Sequence, residues 1–137
     1  MILYQIDAFT DHLFGGNPAG VIILESWPEE RLMQSIALEN NLAETAFIVP
    51  EGNDYRIRWF TPTAEVDLCG HATLATAFVF FEELGYDREL ISFQSKSGLL
   101  TVQKNKSWLT LDFPVDHITP IEPSAAMQKC MDTNILE

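Results

Sequence analysis

Residues 68–85 read LCGHATLATAFVFFEELG, and what this stretch becomes settles the rest of the chain. From Leu74 through Ala75, Ala77, Phe78, Val79, Phe80 and Phe81 there is almost no polar position before Glu82, and Gly85 closes the run. A helix that is apolar all round offers no face to water and must be buried on every side by other elements. The sequence on either flank supplies those elements.

Upstream, Ile2 to Phe9 put Ile2, Tyr4 and Ile6 on one side and Leu3, Gln5 and Asp7 on the other, the alternation of a strand. FGGNPAGVIIL follows, in which Asn17 to Gly20 read as a tight turn whose backbone comes close to another strand or a ligand, ahead of a second strand at Val21 to Leu24. Ser26, Trp27, Pro28 and Glu29 fit a capping box with Ser26 as the N-cap and Pro28 in the first helical turn. The helix they open carries Leu32, Met33, Ile36 and Ala37 inward and ends at Asn40-Asn41, where asparagine tolerates the left-handed conformation. TAFIVP and YRIRWF flank the turn EGND as a hairpin, with Tyr55, Ile57 and Trp59 facing away from Arg56 and Arg58. Downstream, LISFQS, LLTVQ and SWLTLDF form a meander with turns at Lys96 to Gly98 and Lys104 to Lys106.

About seven strands with two helices do not alternate as a doubly wound sheet would. The expected fold is α+β, a curled, barrel-like mixed sheet wrapped around the apolar helix. Residues 1–118 make that domain; residues 119–137, with Pro120 and Pro123 and weak periodicity, read as a linker or the stub of a further domain.

Composition narrows the partners. The 137 residues are 47% hydrophobic and 20% charged, as in ordinary globular proteins, and the net charge of −12 has no compensating basic stripe. Such a surface repels a phosphate backbone and anionic lipid, so neither nucleic acid nor a membrane is an expected partner. Cys69 and Cys130 have no metal-ligand spacing and build no disulfide framework, which fits a reducing, cytoplasmic setting. MILYQIDAF has no basic region of a leader, and the apolar run is too short to span a bilayer. His12 and His117 have no companion at ligand spacing, so no metal is expected.

The chemistry converges on the start of the apolar helix. If that helix begins near Gly70, the N–H groups of Gly70, His71, Ala72 and Thr73 point out of its N-terminus and favour an anion such as a substrate carboxylate. Cys69, just before it, is then in a position that stabilises a thiolate for acid/base or nucleophilic work. The same residues also read as a small buried hydrophobe, a packing glycine and a capping histidine. Glu44, in NNLAETAF, is flanked by Leu42, Ala43, Ala46 and Phe47, surroundings that disfavour the charged form and suit a proton carrier; alternatively it is a solvated loop acid. Asp7, Glu65 and Asp67 read equally as partners of a base or as rim charges. The Gly-rich turn lacks the dinucleotide and Walker patterns and precedes a strand, so no nucleotide site is expected, and no G-x-S-x-G elbow is present.

QIDAFTDHLFGGNPAGV, ENNLAETAFIV, IRWFTPTAEVDLCGHATLATAFVFF and GLLTV, in this order, resemble the PhzF-like family of phenazine biosynthesis up to about Pro114. The resemblance implies the diaminopimelate-epimerase-like fold, two similar domains with the active site in the cleft between them, of which this chain holds one. It also implies a cofactor-independent and metal-independent isomerase that moves a proton on a small carboxylated, possibly cyclic substrate; in the founding member that substrate is a dihydro-hydroxyanthranilate. Glu44 is the matching proton carrier, with Gly70 and His71 lining the site; Asn17, Asp67 and Ala72 are the remaining candidates for substrate binding. LCGHATL also looks much like one half of the proline racemase and diaminopimelate epimerase sites, which use two cysteines. Cys130 has no glycine partners and does not provide the second. A chain that ends where a second domain should begin is either completed by another domain or by a second copy, with a homodimer expected from its uncovered apolar wall, or is a non-catalytic truncated domain.

Overall fold

The computed structural model describes residues 1–12, 14–115 and 119–131, so His117 and the end of the tail lie outside the described residues. The strands are β1 (Leu3–Ala8), β2 (Asn17–Ile23), β3 (Glu44–Glu51), β4 (Asp54–Phe60), β5 (Glu65–Val66), β6 (Leu90–Ser95), β7 (Gly98–Asn105) and β8 (Trp108–Asp112). They form one mixed sheet in the order β1-β2-β3-β4-β6-β7-β8, with β5 paired to β4. The β2–β3 and β4–β6 pairs are parallel and the others antiparallel. The helices are α1 (Glu30–Asn40), α2 (Gly70–Phe78), continued by a π-helical turn at Val79–Glu83, and α3 (Ala125–Met131) in the tail.

Helix α2 contacts β1, β2 and β3 and also β8, so both ends of the sheet curl toward it. Its concave surroundings hold the main core, in which Ala19, Val21, Ala46, Ile48, Ile57, Trp59, Phe93 and Val102 pack with Ala72, Ala75, Val79 and Phe80. Alternate residues of the same strands point outward. Ile22, Phe47 and Phe60 meet Met33 and Ala37 of α1 in a second core, with Phe47 and Phe60 edge to face at 5.5 Å. That is why β3 is buried along both faces from Thr45 to Val49.

The enclosure of α2 is less complete than its composition predicts. Along Gly70, Leu74 and Phe78, one line at helical spacing, Gly70 and Leu74 are half-buried and Phe78 is exposed. The reason lies in the topology: among the described residues β1 and β8 end the sheet without pairing to each other, so it stays open there and one line of the helix is left less covered.

Three local expectations are corrected. Asn17 to Gly20 are not a turn but the first half of β2; Pro18 fits there because β2 meets β3 only from Ala19 onward, so the missing N–H breaks no ladder on that side. The capping box does not form: α1 starts at Glu30, and Glu29 occupies the cap without a side-chain hydrogen bond. Trp27 packs against the outer core instead, with the Arg58 guanidinium 5.5 Å from its ring, and Glu30 bonds to that same guanidinium. With this later start Met33, Ile36 and Ala37 face the sheet while Leu32 is exposed. The end of α1 is as expected, with Asn41 at φ 51° and its N–H donating to the Ala37 carbonyl.

Arg58 ties the outer face together. Its Nε donates to Glu65 Oε1 at 2.7 Å, and a terminal nitrogen donates to Glu65 Oε2 at 2.8 Å and to Glu30 Oε2 at 2.6 Å. Lys96 Nζ adds a bond to Glu65 Oε2 at 2.6 Å, so β4, β5, α1 and the β6–β7 turn share one network. Among the described residues no helix is long and apolar enough to cross a membrane.

The Arg58 hydrogen bonds hold the Glu65 carboxyl below its ordinary value of 4.5, with Lys96 contributing. A carboxylate depressed on folding stabilises the fold above its unfolded pKa, and that stabilisation is lost as pH falls through the folded value. In urea unfolding between about pH 6 and about pH 3, the midpoint of Glu65→Gln is therefore expected to start lower than that of the wild type and fall less on acidification. An equal fall in both proteins contradicts this.

Candidate active site at the N-terminus of the buried helix

Glu44 owes its position to the end of α1. Asn41 in the left-handed conformation turns the chain, and Glu44 opens β3 opposite Ala19 of β2. Since Ala46 and Ile48 face the main core, Glu44 shares their side of the strand and looks toward the start of α2. The N-cap of α2 is Cys69, with extended backbone. Its carbonyl accepts from the Thr73 N–H at 3.3 Å and from the Thr73 hydroxyl at 2.6 Å, which satisfies a hydroxyl that is otherwise sealed from water.

Three side chains meet there. Cys69 Sγ lies 3.4 Å from His71 Nδ1, and His71 Nε2 lies 3.3 Å from Glu44 Oε2. The imidazole thus stands between a thiol and a carboxylate. Its side chain is 10% exposed and that of Glu44 20%, so the cluster is sheltered but reachable. The approach of Nε2 to Glu44 is off the line of a hydrogen bond, which leaves this buried nitrogen without a bonded partner.

The thiol is not the stabilised thiolate that the helix terminus suggests. Burial pushes Cys69 up from 9.0 to about 11, and the Glu44 carboxylate beside it pushes the same way. The backbone N–H groups of Ala72 and His71 act in the opposite sense and are outweighed. Desolvation and a neighbouring negative charge both disfavour a second anion, and here they exceed the pull of the helix end.

Of the other expected residues, Gly70 and Ala72 lie in the first turn of α2, while Asn17 starts β2 and is exposed on the Glu44 side of the sheet. Asp67 turns away: its carboxylate is 3.7 Å from Lys96 Nζ and its carbonyl accepts from Ser97 Oγ at 2.9 Å, so it belongs to the rim. Glu65 is spent on Arg58 and Lys96, and Asp7 accepts the Phe14 N–H at 3.2 Å, so neither partners the cluster. One neighbour was missed. Phe113, just past β8, lays its ring on Gly70 so closely that a Cβ there would come within 2.6 Å of it, and the residue is still 40% exposed. Nothing in the sequence near Phe113 marks this contact, which depends on β8 returning alongside α2.

The chain matches the family profile described as phenazine biosynthesis-like protein over residues 6–136. It is 48% identical to an uncharacterized isomerase of Pseudomonas aeruginosa over 88% of this chain and 46% of that protein. Among solved structures, a PhzF family phenazine biosynthesis protein of Enterococcus faecalis aligns with a TM-score of 0.79 at 53% identity, covering 88% of this chain and 47% of that one. A PhzC/PhzF protein of Clostridium difficile aligns at 0.83 and 44% identity, over 94% and 50% respectively. A hydroxyproline epimerase from Agrobacterium vitis aligns at 0.60 with only 10% identity, a likeness of fold alone, which agrees with one half of an epimerase-like architecture. The chain spans about half the length of the relatives it matches.

Two outcomes follow from the packing. Gly70→Ala is expected to cost about 1–3 kcal/mol by overpacking against Phe113, and most of that cost is expected to vanish in a Phe113→Ala background when unfolding free energies are compared in a double-mutant cycle. In the native protein near neutral pH, iodoacetamide is expected to modify the exposed Cys130 well before the buried Cys69 with its raised pKa, as peptide mass spectrometry can measure. Preferential labelling of Cys69 contradicts the electrostatic picture.

Proposed function

The chain belongs to the phenazine biosynthesis-like family, and on that premise we propose that it carries the proton-moving half of an isomerase site for a small carboxylated, possibly cyclic metabolite. The observation that carries this reading is the meeting of Glu44, His71 and Cys69 at the start of α2. Glu44 takes a proton from a substrate carbon, and His71, 3.3 Å away, steadies the carboxyl between its two states. The substrate carboxylate docks at the first turn of α2, where the backbone N–H groups and the helix dipole favour negative charge. Cys69 serves as a neutral thiol against Glu44, available to donate a proton but not poised as a thiolate. No external cofactor or metal is needed for such a transfer. The reaction takes place in the cytoplasm, and the cleft is closed by a second domain or by a second copy of the chain in a homodimer, covering the exposed Leu68 and Phe113 beside the site.

The half-length span of the chain favours one other reading, a domain that folds but turns nothing over by itself. A two-cysteine racemase is the poorer fit, because Cys69 is held protonated and Cys130 lies exposed in α3.

Deuterium uptake in D2O, followed by NMR on a dihydro-hydroxyanthranilate and a panel of small carboxylates, separates these. The isomerase reading expects uptake by the wild type that falls about a hundredfold or more in Glu44→Gln, with an unchanged circular dichroism spectrum. Equal uptake by both proteins overturns the role of Glu44, and no uptake by the wild type favours the non-catalytic domain.

A further inference from the structure

The cluster at the start of α2 has a second chemical property that a proton-transfer site does not require. One ligand atom each from Glu44, Cys69 and His71, a carboxylate oxygen, a sulfur and a ring nitrogen, all lie within 4.8 Å of one another. His71 Nε2 is buried, has no hydrogen-bond partner, and points to Glu44. From this geometry we infer that Glu44, Cys69 and His71 form a three-ligand site for Zn2+, and that the bound ion blocks proton transfer by occupying Glu44. The expectation of no metal rested on the sequence spacing of the cysteines and histidines and on the family resemblance, and sequence spacing does not register a carboxylate brought in from β3.

The donor set selects the ion. Sulfur with nitrogen and oxygen suits zinc, whereas magnesium and calcium take oxygen ligands and leave thiolate and imidazole aside. Bonds of about 2.0 to 2.3 Å at tetrahedral angles put zinc ligands about 3.3 to 3.8 Å apart. With Nε2 as the donor, its distance of 3.3 Å from Glu44 Oε2 already falls in that range, and the ligand left to bring in is Cys69, whose sulfur lies 3.4 Å from the other ring nitrogen, Nδ1. Bringing in the remaining ligand from within 4.8 Å is a side-chain adjustment of about 1 Å, smaller than a rotamer change. On binding, the thiol gives its proton to solvent and a Zn–S bond forms, with no change of oxidation state. A thiolate and a carboxylate then balance the two charges of the ion in a sheltered place where unpaired charge is costly. Three protein ligands leave a fourth position for water.

Binding stands on the geometry of the cluster alone, while its effect on turnover rests on the proposed isomerase. The deciding experiment is calorimetric titration of zinc chloride into the reduced chain. One saturable site per chain is expected, with Kd raised about tenfold or more in Cys69→Ser and in His71→Gln and unchanged in Cys130→Ser, whose thiol is exposed and far along the chain. Absence of a one-to-one site, or an affinity indifferent to Cys69→Ser, overturns the inference. If the variants do not fold, cobalt(II) absorption of the wild type decides: a thiolate-to-cobalt charge-transfer band supports the site, and its absence overturns it. A site that binds zinc in a chain showing no deuterium uptake supports the metal inference and counts only against the isomerase.

Discussion

A helix with almost no polar face is the constraint on which the rest of the structure depends. Ala72, Ala75, Ala77 and Val79 are sealed from water, and a single flat layer could cover only one side of them. The sheet therefore curls until its first and last strands both approach α2. Curling has a limit, since among the described residues β1 and β8 do not pair, and the line through Gly70, Leu74 and Phe78 is the result. The cluster of Glu44, Cys69 and His71 sits at the beginning of that same helix, where it leaves the core. Packing thus brings the chemistry to a place that is sheltered yet reachable.

The electrostatics of the cluster show how local and tertiary effects compete. A helix N-terminus favours a thiolate, and the N–H groups of His71 and Ala72 act on Cys69 in that sense. The fold adds burial and brings the Glu44 carboxylate from a strand far away in sequence, and both act against the thiolate. The outcome is a neutral thiol next to a carboxyl group and an imidazole, the arrangement on which the proposed proton transfer rests. The same three donors, freed of a proton, suit a soft divalent ion, so one geometry supports both the proposed reaction and its block.

Much of the fold was legible because it rests on periodicity. The alternation in YRIRWF correctly separates inward Tyr55, Ile57 and Trp59 from outward Arg56 and Arg58, and Asn41 ends α1 as asparagine can. The errors arose where a local signal met a tertiary contact. Ser26 to Glu29 spell a capping box, yet Trp27 is drawn onto the outer core and Glu30 onto Arg58, and the helix starts later. Asn17 to Gly20 spell a turn, yet pairing with β1 keeps them extended.

By itself the sequence determined that one apolar helix must be enclosed by short strands, and that Gly70, His71 and Glu44 are unusual residues in their settings. It did so because burial and backbone conformation follow from side-chain pattern over a few residues. Only the tertiary structure decided that Glu44 reaches His71, that Asp67 and Glu65 are drawn off to Lys96 and Arg58, and that Phe113 rests on Gly70. Those contacts join residues from different strands and helices, and their energies depend on distance and shared burial, which no local pattern encodes.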